Sequence, residues 1–175
     1  MARRRSPGTP AGLDAGRVVD AATALVAEGG VEALSMRAVA HRLGVAPNAL
    51  YSHVADKDAL LDMVTDALLA DPPVGGDAGW RVRLDALGRH AWGATRGHPV
   101  LAARLLQRGG HGPHLTALRD AARAAVAQAH VPPDRVDATL AAFLALVLGL
   151  AASGPDDGGA AVDLGIATLL AGLAR

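Results

Sequence analysis

Residues 31–61 read VEALSMRAVAHRLGVAPNALYSHVADKDALL, and this stretch decides the fold. Ser35 is a good N-cap for a helix over about 36–43 that presents Val39, Ala40 and Leu43 on one side. Gly44 takes the turn that follows. Pro47 then opens a short helix over about 47–53, in a first turn where its missing N–H costs nothing. Helix, tight turn with glycine and short helix make a helix-turn-helix, the unit that sets its second helix in a DNA major groove. Val39, Ala40, Leu43, Val45 and Leu50 are the apolar residues expected to fix the crossing of the two helices. That leaves Pro47, Asn48, Ala49, Ser52 and His53 on the free face.

The free face is small, polar and without an acid, as a groove lined with phosphates requires. Asparagine pairs with base edges, serine with bases or phosphates, and alanine packs on a thymine methyl group. Arg37 at the start of one helix and Lys57 at the start of the next are placed to bracket phosphates, with the backbone N–H groups of those helix ends. Tyr51 adds a phenol able to reach a phosphate while its ring packs. Residues 1–57 hold seven basic side chains against five acidic ones, a weak excess. Three of the seven are Arg3, Arg4 and Arg5, in an N-terminal arm over 1–12 (MARRRSPGTPAG). The arm reads equally as a minor-groove or phosphate tether and as a soluble tail.

Outward from this stretch, glycine and proline divide the chain into helical segments. A first helix over about 14–28 carries Val18, Ala22, Leu25 and Val26, with Asp14 as cap and Gly29 as its C′ residue. A fourth follows Asp56 over about 57–70. After the Pro/Gly segment 71–79 come five more, at about 80–96, 99–107, 114–129, 134–153 and 160–174. The expected fold is therefore all-α, with nine helices. It divides into an arm over 1–12, a helix-turn-helix domain over 13–55 and a C-terminal domain over 56–175.

Composition agrees. The chain of 175 residues contains 40 Ala and 25 Leu, both strong helix formers, but one Ile, one Phe, one Tyr and two Trp, so a sheet is unlikely material here. With no Cys there is no disulfide, thiolate nucleophile or Cys-ligated metal. Equal numbers of basic and acidic side chains, 17 each, put any polyanion-binding surface in one local region. No apolar run follows the basic start, so the expected compartment is the cytoplasm, at the nucleoid. Residues 138–155 carry no charge, but the helical part, 138–153, reaches only about 24 Å at 1.5 Å per residue. A bilayer core needs about 30 Å, so a helix buried on most faces is the better reading.

Residues 13–69 resemble the DNA-binding domain of the TetR family of bacterial transcriptional repressors. The resemblance rests on Val18, Ala22, Leu25, Gly30, Leu34-Ser35-Met36-Arg37, Val39-Ala40, Leu43-Gly44-Val45, Leu50 to Val54, Lys57 and Leu60-Leu61. The run Leu50 to Leu61, LYSHVADKDALL, is close to the signature of the tetracycline-repressor branch. The resemblance implies a homodimer with three N-terminal helices for DNA and six for ligand binding and dimerization. It also implies that the fourth helix links ligand occupancy to the spacing of the two recognition helices. It puts Arg37, Pro47, Asn48, Ala49, Tyr51, Ser52, His53 and Lys57 at DNA-contact positions. Pro47-Asn48-Ala49 is an individual combination, so the operator sequence does not transfer.

In the C-terminal half, the helices around 134–153 and 160–174 are the expected dimer interface. Val136, Leu140, Phe143, Leu144, Val147 and Ala151 form one stripe, and Leu146, Leu148 and Leu150 extend apolarity around the eighth helix. A lone helix-turn-helix reads too few bases, which favours the dimer over a monomeric core. The expected pocket residues are His90, Trp92, Arg104, Gln107 and His111, with Trp80, His98 and His114 also considered. Trp92 shares a face with Leu84 and Gly88 and reads more readily as packing. His111-Gly112-Pro113-His114 has an HxxH spacing across Gly-Pro, which reads as loop histidines and not as a metal site. No metal, cofactor or catalytic set is expected. The scarcity of aromatics predicts a small or aliphatic-lined cavity.

The leading reading is a ligand-responsive regulator, a repressor that binds a palindromic operator as a dimer and is released by a small-molecule effector. The alternative is an all-helical metal- or small-molecule-binding protein whose helix-turn-helix is not used for DNA.

Overall fold

A computed structural model describes residues 13–73, 78–154 and 158–173. The arm over 1–12 lies outside the described residues, and so does its expected DNA contact. The described residues form nine α-helices and two short 3-10 turns, with no strand among them. The helices are α1 (Ala15–Gly29), α2 (Met36–Leu43), α3 (Pro47–Leu50), α4 (Lys57–Leu68), α5 (Trp80–Thr95), α6 (Pro99–Arg108), α7 (Pro113–Gln128), α8 (Val136–Ala152) and α9 (Gly158–Gly172). The chain divides into two compact units between Val64 and Thr65. That division falls inside α4, nine residues beyond the 55/56 boundary expected from the turn chemistry.

In the N-terminal unit the caps follow local side-chain chemistry. Asp14 accepts from the Arg17 N–H at 2.8 Å and Ser35 from the Ala38 N–H at 3.1 Å, each supplying an acceptor that the first turn of a helix lacks. Asp56 does the same for the Ala59 N–H at 2.8 Å. α1 ends one residue later than expected. The left-handed position is Gly30, with φ 72°, and Gly29 is the last helical residue. Val18, Ala22 and Val26 of α1, Leu34, and Val39 and Ala40 of α2 are buried, together with Leu50. Arg42 on α2 grips Glu28 on α1 through its two terminal guanidinium nitrogens, Nη1 and Nη2, at 2.8 and 2.5 Å. This bond lowers the Glu28 carboxyl below its ordinary value.

The C-terminal unit is built around α8, which packs on α5, α6, α7 and α9. Phe143, Val147, Leu84, Leu87, Ala122, Val126 and Ile166 form its centre. Gly88 on α5 lets the helices approach: a Cβ there would lie 2.8 Å from both Ile166 and Phe143. Arg89 pairs with Asp85 at 2.8 Å and with Asp163, which joins α5 to α9. A 3-10 turn over Pro133–Arg135 extends α8, so the helical run Pro133–Ala152 has 20 residues. By length and composition that run is sufficient to cross a membrane. The 16-residue reading counts only the uncharged part of the helix expected over 134–153 and so leaves out the turn that carries Asp134, Arg135 and Asp137. One side of the helix is nevertheless committed to the core through Val136, Leu140, Phe143, Val147 and Ala151.

Candidate nucleic-acid interface and the cavity of the C-terminal unit

The turn between α2 and α3 is set by Gly44, whose φ of 66° and ψ of 30° lie in the left-handed region. The Gly44 N–H reaches the His41 carbonyl at 3.1 Å and the Val45 N–H the Ala40 carbonyl at 3.0 Å. Leu50, fully buried, pins α3 from beneath. Regular helix stops at Leu50, three residues before the expected end. The chain then completes one more turn, with the His53 and Val54 N–H groups both on the Leu50 carbonyl, at 2.8 and 3.0 Å.

The surface above this turn is open. Pro47, Asn48, Tyr51 and Ser52 are exposed, Ala49 is half-buried, and Tyr51 keeps 55% of its surface accessible. The Ser52 hydroxyl donates to the Ala49 carbonyl at 2.8 Å, leaving its oxygen lone pairs outward. Arg37 in the first turn of α2 and Lys57 at the first position of α4 are exposed. No acid occurs between Arg37 and Ala55. His53 behaves differently from the other expected contacts. It is half-buried, and its Nε2 is enclosed without a hydrogen-bond partner among the described residues. Arg42, also on α2, is committed to Glu28.

The expected pocket residues do not converge. His90 Nε2 lies 3.2 Å from the Leu69 carbonyl, joining α5 to the chain just past α4. Trp92 is half-buried, with its indole nitrogen enclosed and unpartnered and Arg96 stacked 4.9 Å from the ring centre. Gln107 and His111 are exposed, and Arg104 is half-buried. Among the described residues a cavity with a volume of about 380 Å³ lies between α6, α7 and α8, and none of these five residues is in its wall. Its walls include Leu105 and Leu106 of α6, Leu115 and Arg119 of α7, and Leu144 and Leu148 of α8. The volume sits at the small end of ligand sites, and the wall is aliphatic. Among the described residues, no three His, Asp or Glu side chains gather as a metal set.

One buried acid was not foreseen. Asp66, near the end of α4, is 7% exposed, and its carboxylate accepts from the Leu115 N–H at 2.8 Å. It is 3.5 Å from the His114 N–H. Asp66 thus caps α7 from 49 residues away, supplying the acceptor that the Gly112-Pro113 start lacks. Gly112 makes room for it: a Cβ at that position would fall inside the Asp66 carboxylate.

Together these features give described residues that are all helical, with an N-terminal helix-turn-helix and a C-terminal unit that bears a small cavity. Residues 18–64 match the family described as bacterial regulatory proteins, tetR family. The HTH-type transcriptional repressor DrrR1 of Streptomyces coeruleorubidus is 40% identical over 102 residues, 57% of this chain and 38% of that protein. The chain spans less than half the length of the curated relatives DrrR1 and an HTH-type regulator of Saccharopolyspora erythraea, at 38% and 49%. Among solved structures, BioQ with its double-stranded DNA operator superposes with a TM-score of 0.80 and 28% identity, covering 94% of this chain and 99% of that one. A TetR variant from Acinetobacter baumannii in complex with minocycline gives 0.78 at 28% identity, covering 92% and 96%. Residues 18–64 are thus similar to the tetR family of bacterial regulatory proteins, and the described residues share their fold with these solved regulators.

Proposed function

We propose that this protein is a ligand-responsive transcriptional repressor that reads a two-fold-symmetric DNA site as a dimer. The observation that carries the reading is the open, acid-free surface of Pro47, Asn48, Ala49, Tyr51 and Ser52, flanked by exposed Arg37 and Lys57. Asn48 is the base reader and Lys57 a phosphate contact. The Asn48→Ala variant should lose about 1–3 kcal/mol on the preferred site and relax preference at one base pair. Lys57→Ala should weaken all sequences alike and lower the slope of log affinity against log salt by about 1. Fluorescence anisotropy on the selected site and on scrambled DNA, over a salt series, reads both effects. Wild-type behaviour in both variants would remove these residues from the interface.

Dimerization falls to α8 and α9. Leu164 is 70% exposed in the middle of α9, and Ala160, Ala167 and Ala171 on the same face are exposed too. A bare leucine among alanines suits close packing against a partner helix. The Leu164→Glu variant is expected to elute as a monomer in light-scattering chromatography, to keep its helical circular dichroism and to lose binding to the symmetric site. A dimer of wild-type mass would move the interface elsewhere.

Effector release requires that ligand occupancy favour one of two dimer spacings. α4 is the element suited to report it. It runs unbroken from Lys57 to Leu68, and Asp66 near its end caps α7, a wall of the cavity.

A further inference from the structure

The cavity between α6, α7 and α8 carries one charged group in an otherwise aliphatic wall, and that group is Arg119. Its Nη1 donates to the Gly110 carbonyl at 3.2 Å, the one hydrogen bond its guanidinium makes among the described residues. A guanidinium has five N–H donors, so most of its fork remains unspent. The loop it touches is packed tightly. A Cβ at Gly110 would lie 2.6 Å from Leu105 and 2.7 Å from Leu115, so the loop packs directly on two leucines that line the cavity. At the α8 side, Ala141 and Ala145 keep the space open. No aromatic ring lines it.

We propose that this cavity binds a monocarboxylate with a medium-length saturated aliphatic body, its carboxylate held by Arg119 and its chain lying against Leu105, Leu115, Leu144 and Leu148. The inference rests on reading the C-terminal unit as the effector domain, and it names the effector's chemistry. Three features select that class. The guanidinium fork matches a carboxylate in a two-point hydrogen bond. The leucine wall rewards burial of methylene groups and offers no ring to stack on. The volume of about 380 Å³ is too small for a large polycyclic ligand.

The test uses the full chain without DNA, so its outcome is independent of operator binding. Isothermal titration with octanoate, decanoate and dodecanoate is compared with the methyl ester of decanoate. Saturable binding is expected, with decanoate favoured over its ester by about tenfold or more, the scale of a charged hydrogen bond. In Arg119→Gln, which removes the charge and the guanidinium fork, acid and ester should bind alike while ester affinity is retained. Ala141→Trp, at an exposed position on the cavity wall, should abolish binding of both at unchanged melting temperature. Absence of saturable binding at every chain length would overturn the proposal. So would an acid preference that survives Arg119→Gln, or decanoate binding that survives Ala141→Trp.

Discussion

Gly112→Ala is expected to destabilise the C-terminal unit by about 2–5 kcal/mol, an effect far beyond that of an ordinary surface substitution. Two penalties combine. The residue sits at φ 142°, which L side chains rarely adopt, and its new methyl group would occupy the space of the Asp66 carboxylate. The second penalty belongs to the pair and is separable in a double-mutant cycle. Asp66→Ala alone leaves the buried Leu115 N–H without an acceptor, which costs about 1–3 kcal/mol. In that background Gly112→Ala should pay only the backbone penalty, so the double variant should be more stable than the sum of the singles implies. Urea unfolding followed by circular dichroism measures all four corners of the cycle. Additive losses would mean that the Asp66 carboxylate does not fill the space beside Gly112. The same loop bears the carbonyl that Arg119 holds, so the start of α7 is fastened from both α4 and α7 itself.

Phe143→Ala is expected to cost about 3–5 kcal/mol. Phe143 is 1% exposed at the centre of the unit and is the chain's one phenylalanine, so no second ring fills the hole. Its edge lies against Gly88, where an added methyl group would overpack the core by about 1–3 kcal/mol. Combining Gly88→Ala with Phe143→Ala lets the methyl group occupy vacated space, and the two losses should partly cancel. A Phe143→Ala loss below about 1 kcal/mol would contradict a close-packed α5–α8–α9 core.

The parts of this structure that were legible in the sequence are those set by neighbours along the chain. Asp14, Ser35 and Asp56 cap helices three residues away, and Gly44 and Pro47 punctuate the turn, so local chemistry suffices to find the helix-turn-helix. The inward turn of the His53 ring was not legible, because its exposure depends on how α3 ends. The cavity was obscured for a different reason. Polar and aromatic residues in the C-terminal half, such as His90, Gln107 and His111, attract attention as ligand contacts, yet the walls are leucines and alanines that look like any core residue. Arg119 lies in a helix with other arginines, and only folding brings it beside Leu105 and Gly109. Asp66 and Gly112 are likewise joined by tertiary structure, across a separation that no helical period marks.

The central claim is that two copies of the Pro47–Ser52 surface read DNA together. It is tested most directly by selecting random duplex DNA on the purified full chain and sequencing the bound fraction after several rounds. The account predicts enrichment of a palindrome whose half-sites lie about one helical turn apart, about 34–36 Å centre to centre. Failure to enrich any sequence at low as well as high salt, or enrichment of an unpaired asymmetric site, would contradict it.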